Sequence, residues 1–288
     1  IMETSNYLQK KKARLEETLS SFLSGEDSMV FAAMRYAVFS GGKRIRPLLL
    51  LATGEYFGLT EEILLPYACA IECIHNYSLI HDDLPAMDND DIRRGQPTCH
   101  KIFGEALALL AGDGLLSLAF EILLSAPWPP GGPGLKEEVC HDIALATGPA
   151  GMIAGQWLDL SLDPGVTNIQ AYEELARKKT AGLITVSAMS GARLAGASPV
   201  MVKALEDYGT KLGLAWQLKD DLEDIGQDTV PAGSFRPNLA RHLGPQKTRE
   251  LVNLWLSQSI EALRKAELNS NHLEYFASQL KFRSEKRP

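Results

Sequence analysis

Apolar residues recur every three to four positions through most of the chain. Between Leu205 and Leu218 they fall at Leu205, Tyr208, Leu212, Ala215 and Leu218, a spacing that draws one stripe along one face of an α-helix. No stretch sustains the apolar-polar alternation of a half-buried strand, so the pattern predicts an all-α fold. Breaks fall at Ser40-Gly41-Gly42, Pro85, Gly95-Gln96-Pro97, the run Pro127 to Gly134, Asp163-Pro164-Gly165 and Pro231-Ala232-Gly233, where glycine and proline interrupt helices. Helical patterns of one kind flank the longest break, which predicts a single domain over residues 1–288 rather than two joined by a linker. The most apolar stretch, Ala106 to Ala126, contains Asp113 and Glu121; it predicts a buried core helix, and no membrane span is expected.

Two acidic clusters interrupt these apolar stretches: Asp82-Asp83-Leu84-Pro85-Ala86-Met87-Asp88 and Asp220-Asp221-Leu222-Glu223-Asp224. Asp220 and Asp224 stand one helical turn apart and share a face, with Asp221 turned aside. In the first cluster Pro85 disfavours helical geometry at Leu84, which ends the helix and lets Asp88 return from a loop. Mg²⁺ takes one or two carboxylates plus substrate phosphates, so two such clusters predict the halves of a magnesium-diphosphate site. A single cluster would read equally well as a solvated helix end. A calcium loop is excluded, because Ile92 and Arg93 stand where a ligand and a glycine belong after Asp88-Asn89-Asp90-Asp91. The four cysteines, Cys69, Cys73, Cys99 and Cys140, form no CxxC pair and read as reduced thiols rather than zinc ligands.

The formal charge of −7 and pI near 5.5 argue against a nucleic-acid partner. The first residues, with Lys10-Lys11-Lys12, lack the apolar core of a signal peptide, which leaves a cytoplasmic location as the expectation. The basic groups cluster locally. Gly41-Gly42-Lys43-Arg44-Ile45-Arg46-Pro47 sets three cations behind two glycines: glycine permits close approach, lysine offers a point charge and arginine a fork for phosphate oxygens. His75, Ser78 and Asp82 share one helical face, a polar line whose partner a phosphate would supply. Arg93-Arg94-Gly95, Lys178-Lys179-Thr180-Ala181-Gly182 and Gly151 to Asp159 add further polar groups, each of which alone also reads as an ordinary surface feature.

In type and order these pieces resemble the trans-isoprenyl diphosphate synthases, most closely the bacterial farnesyl diphosphate synthases, over roughly residues 27 to 265. The resemblance implies a single-domain helical bundle of the isoprenoid synthase type around a central active-site cavity, usually as a homodimer. It implies head-to-tail condensation of isopentenyl diphosphate with an allylic diphosphate (dimethylallyl, then geranyl) to give farnesyl diphosphate. Asp82, Asp88 and Asp220 would bind Mg²⁺, three ions with substrate bound, with Asp83, Asp221 and Asp224 in support. Arg93 and Lys179 would hold the allylic diphosphate; Lys43, Arg46, His75 and Arg94 would hold isopentenyl diphosphate; Thr180 and Gln217 would face the carbocation. Tyr77 lies five residues, roughly 7.5 Å of helix rise, before Asp82, and an aromatic there would floor the cavity at a C15 product.

The pattern breaks after Asp224. The Gly-Lys loop of the family has no counterpart, the segment reads several residues short, and Arg236 is the candidate for the missing cation. The expectation is that a stretch around Val230 and Phe235 is absent from the sequence. Geranylgeranyl diphosphate synthesis and a noncatalytic subunit of a heteromeric synthase are the alternatives, with a terpene cyclase behind them. The basic tail from Lys281 to Pro288 reads either as a flap over the isopentenyl site or as a frayed end.

Overall fold

The computed structural model describes residues 2–25, 27–162, 168–225 and 237–282. The expectations that fall on Asp163–Gly165, on Val230, Pro231–Gly233, Phe235 and Arg236, and on the tail beyond Phe282 lie outside those residues. The described chain is all-α, as the periodicity predicts. Its helices are α1 (Met2–Phe22), α2 (Met29–Phe39), α3 (Ile45–Tyr56), α4 (Glu61–Asp82), α5 (Cys99–Phe103), α6 (Glu105–Ser125), α7 (Pro133–Thr147), α8 (Met152–Ser161), α9 (Ile169–Ala176), α10 (Gly182–Leu194), α11 (Pro199–Asp224), α12 (Leu239–Lys265) and α13 (Asn271–Leu280). A π-helical turn, Arg177–Ala181, joins α9 to α10. The strands among the described residues are the two-residue arms of one hairpin, β1 (Ile92–Arg93) and β2 (Gln96–Pro97), with Arg93 opposite Gln96.

Local chemistry sets the helix starts. Ser28 and Ser198 accept hydrogen bonds from the N–H of Phe31 and Met201, the serine cap that satisfies an orphan donor of the first turn. Pro133 and Gly134, expected in the break after α6, instead open α7, because proline at the first helical position loses no hydrogen bond. α4 is buried on nearly every side from Leu64 to Ile80 and packs on α3 and α6, while α11 packs on α10 and α12. Gly209 lets α11 close on α10 and Gly213 lets it close on the π turn: a Cβ at Gly213 would stand 2.5 Å from both Cα and Cβ of Ala181, inside contact distance.

α6 departs from its predicted burial. Its inner stripe, Ala108, Ala111, Leu115, Ala119 and Ile122, is buried against α4, but Leu109, Leu110 and Leu124 are exposed. α4 and α6 are each long and apolar enough to cross a membrane by length and hydropathy alone; both are packed into this bundle.

Arg44 departs more sharply. It is buried, in the left-handed region (φ 54°), with Nη1 on Glu72 at 2.6 Å, Nε on Glu16 at 3.2 Å and Nη2 on the Val38 carbonyl. Its charge ties the start of α3 to α1, α2 and α4 and is spent inside the protein. Removing one member of a buried pair strands the other charge, so Arg44→Met lowers unfolding free energy by about 3–5 kcal/mol, and the double change Arg44→Met/Glu72→Leu recovers most of it. Urea denaturation of the three proteins checks this.

Candidate active site

α4 ends at Asp82 and the chain folds back at once: the N–H of Asp88 donates to the carbonyl of Asp82 at 2.8 Å, and that of Asn89 to Leu84 at 3.1 Å. The backbones of Asp82 and Asp88 are therefore adjacent despite six residues of separation. Successive helical residues point about 100° apart, and each aspartate doublet splits accordingly. Asp83 is 3% exposed and accepts from Arg93 Nε at 2.5 Å, while Arg93 also reaches Asp90 at 3.1 Å. Asp221 is 5% exposed and accepts from Tyr172 Oη at 2.7 Å and Gln217 Nε2 at 3.0 Å. Asp82 and Asp88 are half-buried; Asp220 and Asp224 reach solvent. Both doublets stand at helix C-termini, where the helix dipole already disfavours anions. Burial pushes the Asp83 and Asp221 carboxyls up to about 6 against the pull of their partners. Asp220 goes up to about 7, through the protein around its base and then the charges of Glu223, Asp224 and Asp221.

The glycine-rich turn between α2 and α3 bridges the clusters. Lys43 Nζ lies 5.6 Å from the Trp216 ring, whose side chain hydrogen-bonds Asp220. Arg46 Nη1 meets His75 Nε2 at 3.3 Å and lies in the field of Asp220 and Glu72. Arg94 donates to the Gly41 carbonyl, and Gly42 (φ +126°) leaves room for it: a Cβ there would lie 2.9 Å from the guanidinium carbon. Of the expected isopentenyl group, Arg46, His75 and Arg94 are thus drawn to one place, with Lys43 beside α11. Ser78, expected to look to a phosphate, donates to the carbonyl of His75 within its own helix.

α8 and the π turn build the opposite wall. Gly155 lies so close to that turn that a Cβ would stand 2.3 Å from the Lys179 nitrogen. One helical turn on, buried Asp159 forms an ion pair with the Lys179 ammonium. Thr180 Oγ1 donates to Gln217 Oε1 at 2.5 Å. Tyr77 is buried on α4, with its hydroxyl 4.0 Å from the Met152 sulfur at the start of α8 and its ring edge-on to His81. Sequence reasoning missed Glu72, Asp90 and Tyr172, and it saw Asp159 only as one polar residue among several. Tyr172 carried no motif signal at all.

His75 is held well below its usual range by burial and by the charges of Arg46 and Arg94. The folded protein therefore refuses a proton that the unfolded chain accepts, so this group costs no stability above pH ~6.5 and destabilises the fold as pH falls below it, by up to about 1.4 kcal/mol per pH unit. Between pH 7.5 and 5.5 the chain with His75→Gln loses less stability than the unsubstituted chain, measured by denaturant titration at each pH.

A polyprenyl synthetase family model matches residues 27–233. The chain is 42% identical to a farnesyl diphosphate synthase of Geobacillus stearothermophilus over 82% of each chain. It is 38% identical to that of Escherichia coli, covering 97% of this chain and 98% of the other. The fold superposes on a crystal structure of a Zymomonas mobilis FPP/GFPP synthase with a TM-score of 0.86, at 34% identity over 96% of this chain and 98% of the other. With both aspartate clusters, the bridging basic turn and the Lys179-Thr180 turn in these positions, the chain belongs to the polyprenyl synthetase family.

Proposed function

We propose that this chain is a farnesyl diphosphate synthase, condensing isopentenyl diphosphate with dimethylallyl and then geranyl diphosphate. The observation that carries the reading is the Arg46 bridge: one guanidinium touches His75 on α4 and lies in the field of Asp220 on α11, so cations for one diphosphate adjoin carboxylates suited to metal and the other. The donor set fits Mg²⁺, being all carboxylate oxygen at two helix C-termini, and the upward shift of Asp220 marks a place where positive charge is wanted. Asp82, Asp88, Asp220 and Asp224 would hold the metal, while Asp83 is taken up by Arg93 and Asp221 by Tyr172 and Gln217. Bound there, Mg²⁺ would offset the charge of the departing diphosphate.

The chain's own residues do the rest. Lys179, held by Asp159, stands ready for the allylic diphosphate, and Arg93, steadied by Asp83 and Asp90, is the second cation on that side. Lys43, Arg46, His75 and Arg94 fix isopentenyl diphosphate, and Thr180 and Gln217 turn oxygens toward the developing allylic cation. The exposed apolar residues of α6 (Leu109, Leu110) and α8 (Ile153, Trp157) support a homodimer, which sedimentation equilibrium tests.

Incubation with Mg²⁺, isopentenyl diphosphate and dimethylallyl diphosphate gives C15 as the main product; folded protein that makes nothing rejects the reading, and a C20 product moves it to geranylgeranyl synthesis. Asp82→Asn or Asp220→Asn lowers kcat by about 10²–10³-fold, the scale of losing a preorganised charge-stabilising group. Tyr77→Ala opens the floor beside Met152 and lengthens the product beyond C15, read by chromatography of the dephosphorylated alcohols.

A further inference from the structure

Four side chains from three elements make one continuous hydrogen-bonded line: Tyr172 on α9, Asp221 and Gln217 on α11, and Thr180 in the π turn. Tyr172 Oη meets Asp221 Oδ2 at 2.7 Å, Gln217 Nε2 meets Asp221 Oδ1 at 3.0 Å, and Thr180 Oγ1 meets Gln217 Oε1 at 2.5 Å. Its direction is fixed by chemistry rather than by how an amide is drawn. An ionised carboxylate only accepts, so the Gln217 amide must turn its NH₂ to Asp221 and its carbonyl to Thr180. That carbonyl also only accepts, so Thr180 must spend its single proton on it. The Thr180 oxygen is left with lone pairs alone for whatever lies opposite.

Tyr172 anchors the far end. It is buried, and burial together with Asp221 pushes its hydroxyl well above the usual range, so it keeps the proton it donates. Asn238 Nδ2 bonds the backbone carbonyl of Asp221 at 2.9 Å, steadying the same residue from the other side. The π turn matters as well: in an α-helix a threonine hydroxyl commonly donates to the carbonyl one turn back, as Thr185 does to Ala181 at 2.8 Å. Thr180 instead gives its proton to another helix.

We infer that Tyr172 is a positioning residue for allylic ionisation, acting through Asp221 and Gln217 to present the Thr180 oxygen to the reacting carbon with its lone pairs and never its proton. This role rests on the proposed farnesyl synthesis. In that step the C1–O bond breaks, its electron pair leaves with the diphosphate and C1 becomes electron-poor. A threonine dipole pointed the right way stabilises that carbon, and the same dipole reversed opposes it. Without the Tyr172 bond, Asp221 can rotate, Gln217 can flip, and Thr180 can take either orientation. Asp221 thereby serves the organic end of the substrate while its neighbour Asp220 faces the metal side.

A double-mutant cycle on the full chain separates this role from packing and from metal binding. The rate of farnesyl diphosphate formation from geranyl and isopentenyl diphosphates is measured in single turnover for the unsubstituted chain, Tyr172→Phe, Thr180→Val and the double variant, with circular dichroism to confirm folding. Tyr172→Phe slows the step about 3- to 10-fold, the scale of one ordinary net hydrogen bond, while the KM values and the Mg²⁺ half-saturation stay within about twofold. In the Thr180→Val background, which lacks the Thr180 oxygen and leaves only the Gln217 amide to orient, Tyr172→Phe costs at most about twofold further. An equal penalty in both backgrounds, or a Mg²⁺ half-saturation that rises with Tyr172→Phe, overturns the role while leaving the synthase reading intact. No turnover by the unsubstituted chain overturns the synthase reading and this role with it.

Discussion

A charge at the wall of an apolar bundle is tolerated only when another group answers it, and this chain meets that condition with adjacent residues. The same 100° step between helical neighbours divides each aspartate doublet. Asp83 and Asp221 turn into the protein and are taken up by Arg93, Tyr172 and Gln217, leaving Asp82 and Asp220 toward the site. The basic turn divides likewise: Arg44 is spent on Glu72 and Glu16, while Arg46 two residues later lies between His75 and Asp220. In each case one member of a like-charged pair orders the scaffold and its near neighbour faces the chemistry. The site is therefore inseparable from the packing that carries it.

The second constraint is close approach. Lys179 can be held by Asp159 only because α8 presents Gly155 to the π turn, and the turn can face α11 only because Gly213 presents no side chain to Ala181. These glycines lie in helices and would be expected to weaken them by about 1 kcal/mol each relative to alanine. Their return is geometric: they bring backbone to backbone, so that Lys179 and Thr180 approach the carboxylates on short tethers. A π turn at this place shifts the register by one residue, which is how consecutive residues reach different partners, Lys179 to α8 and Thr180 to α11.

The fold class and the outline of the candidate site were legible in the sequence because both rest on local spacing. Helical periodicity exposed the bundle, and the i, i+4 relation of Asp220 and Asp224 exposed one half of the candidate metal site. What was not legible depends on tertiary contact. Nothing local distinguishes Arg44 from Arg46, and only the arrival of Glu72 from another helix decides which of them is buried. Tyr172 lies in a helix of eight residues with no motif around it, and its partner is 49 positions away. α6 read as a core helix because hydropathy measures apolar content, not which face meets solvent, and its outward leucines are at least as apolar as its inward alanines.

On the proposed reading, these linkages would make the two diphosphate positions electrostatically dependent. Arg46 is pulled down to about 10 by burial, and the charges of Glu72 and Asp220 partly restore it. While Asp220 is uncompensated, part of the Arg46 field is directed at a carboxylate of its own protein. A cation at Asp220 removes that competition and adds positive potential near Arg46 and His75, so an anion beside them is held more tightly. By thermodynamic reciprocity, the anion then favours the cation to the same degree. On the proposed reading, metal with one diphosphate would raise affinity for the second, through an arginine that lies between His75 and Asp220.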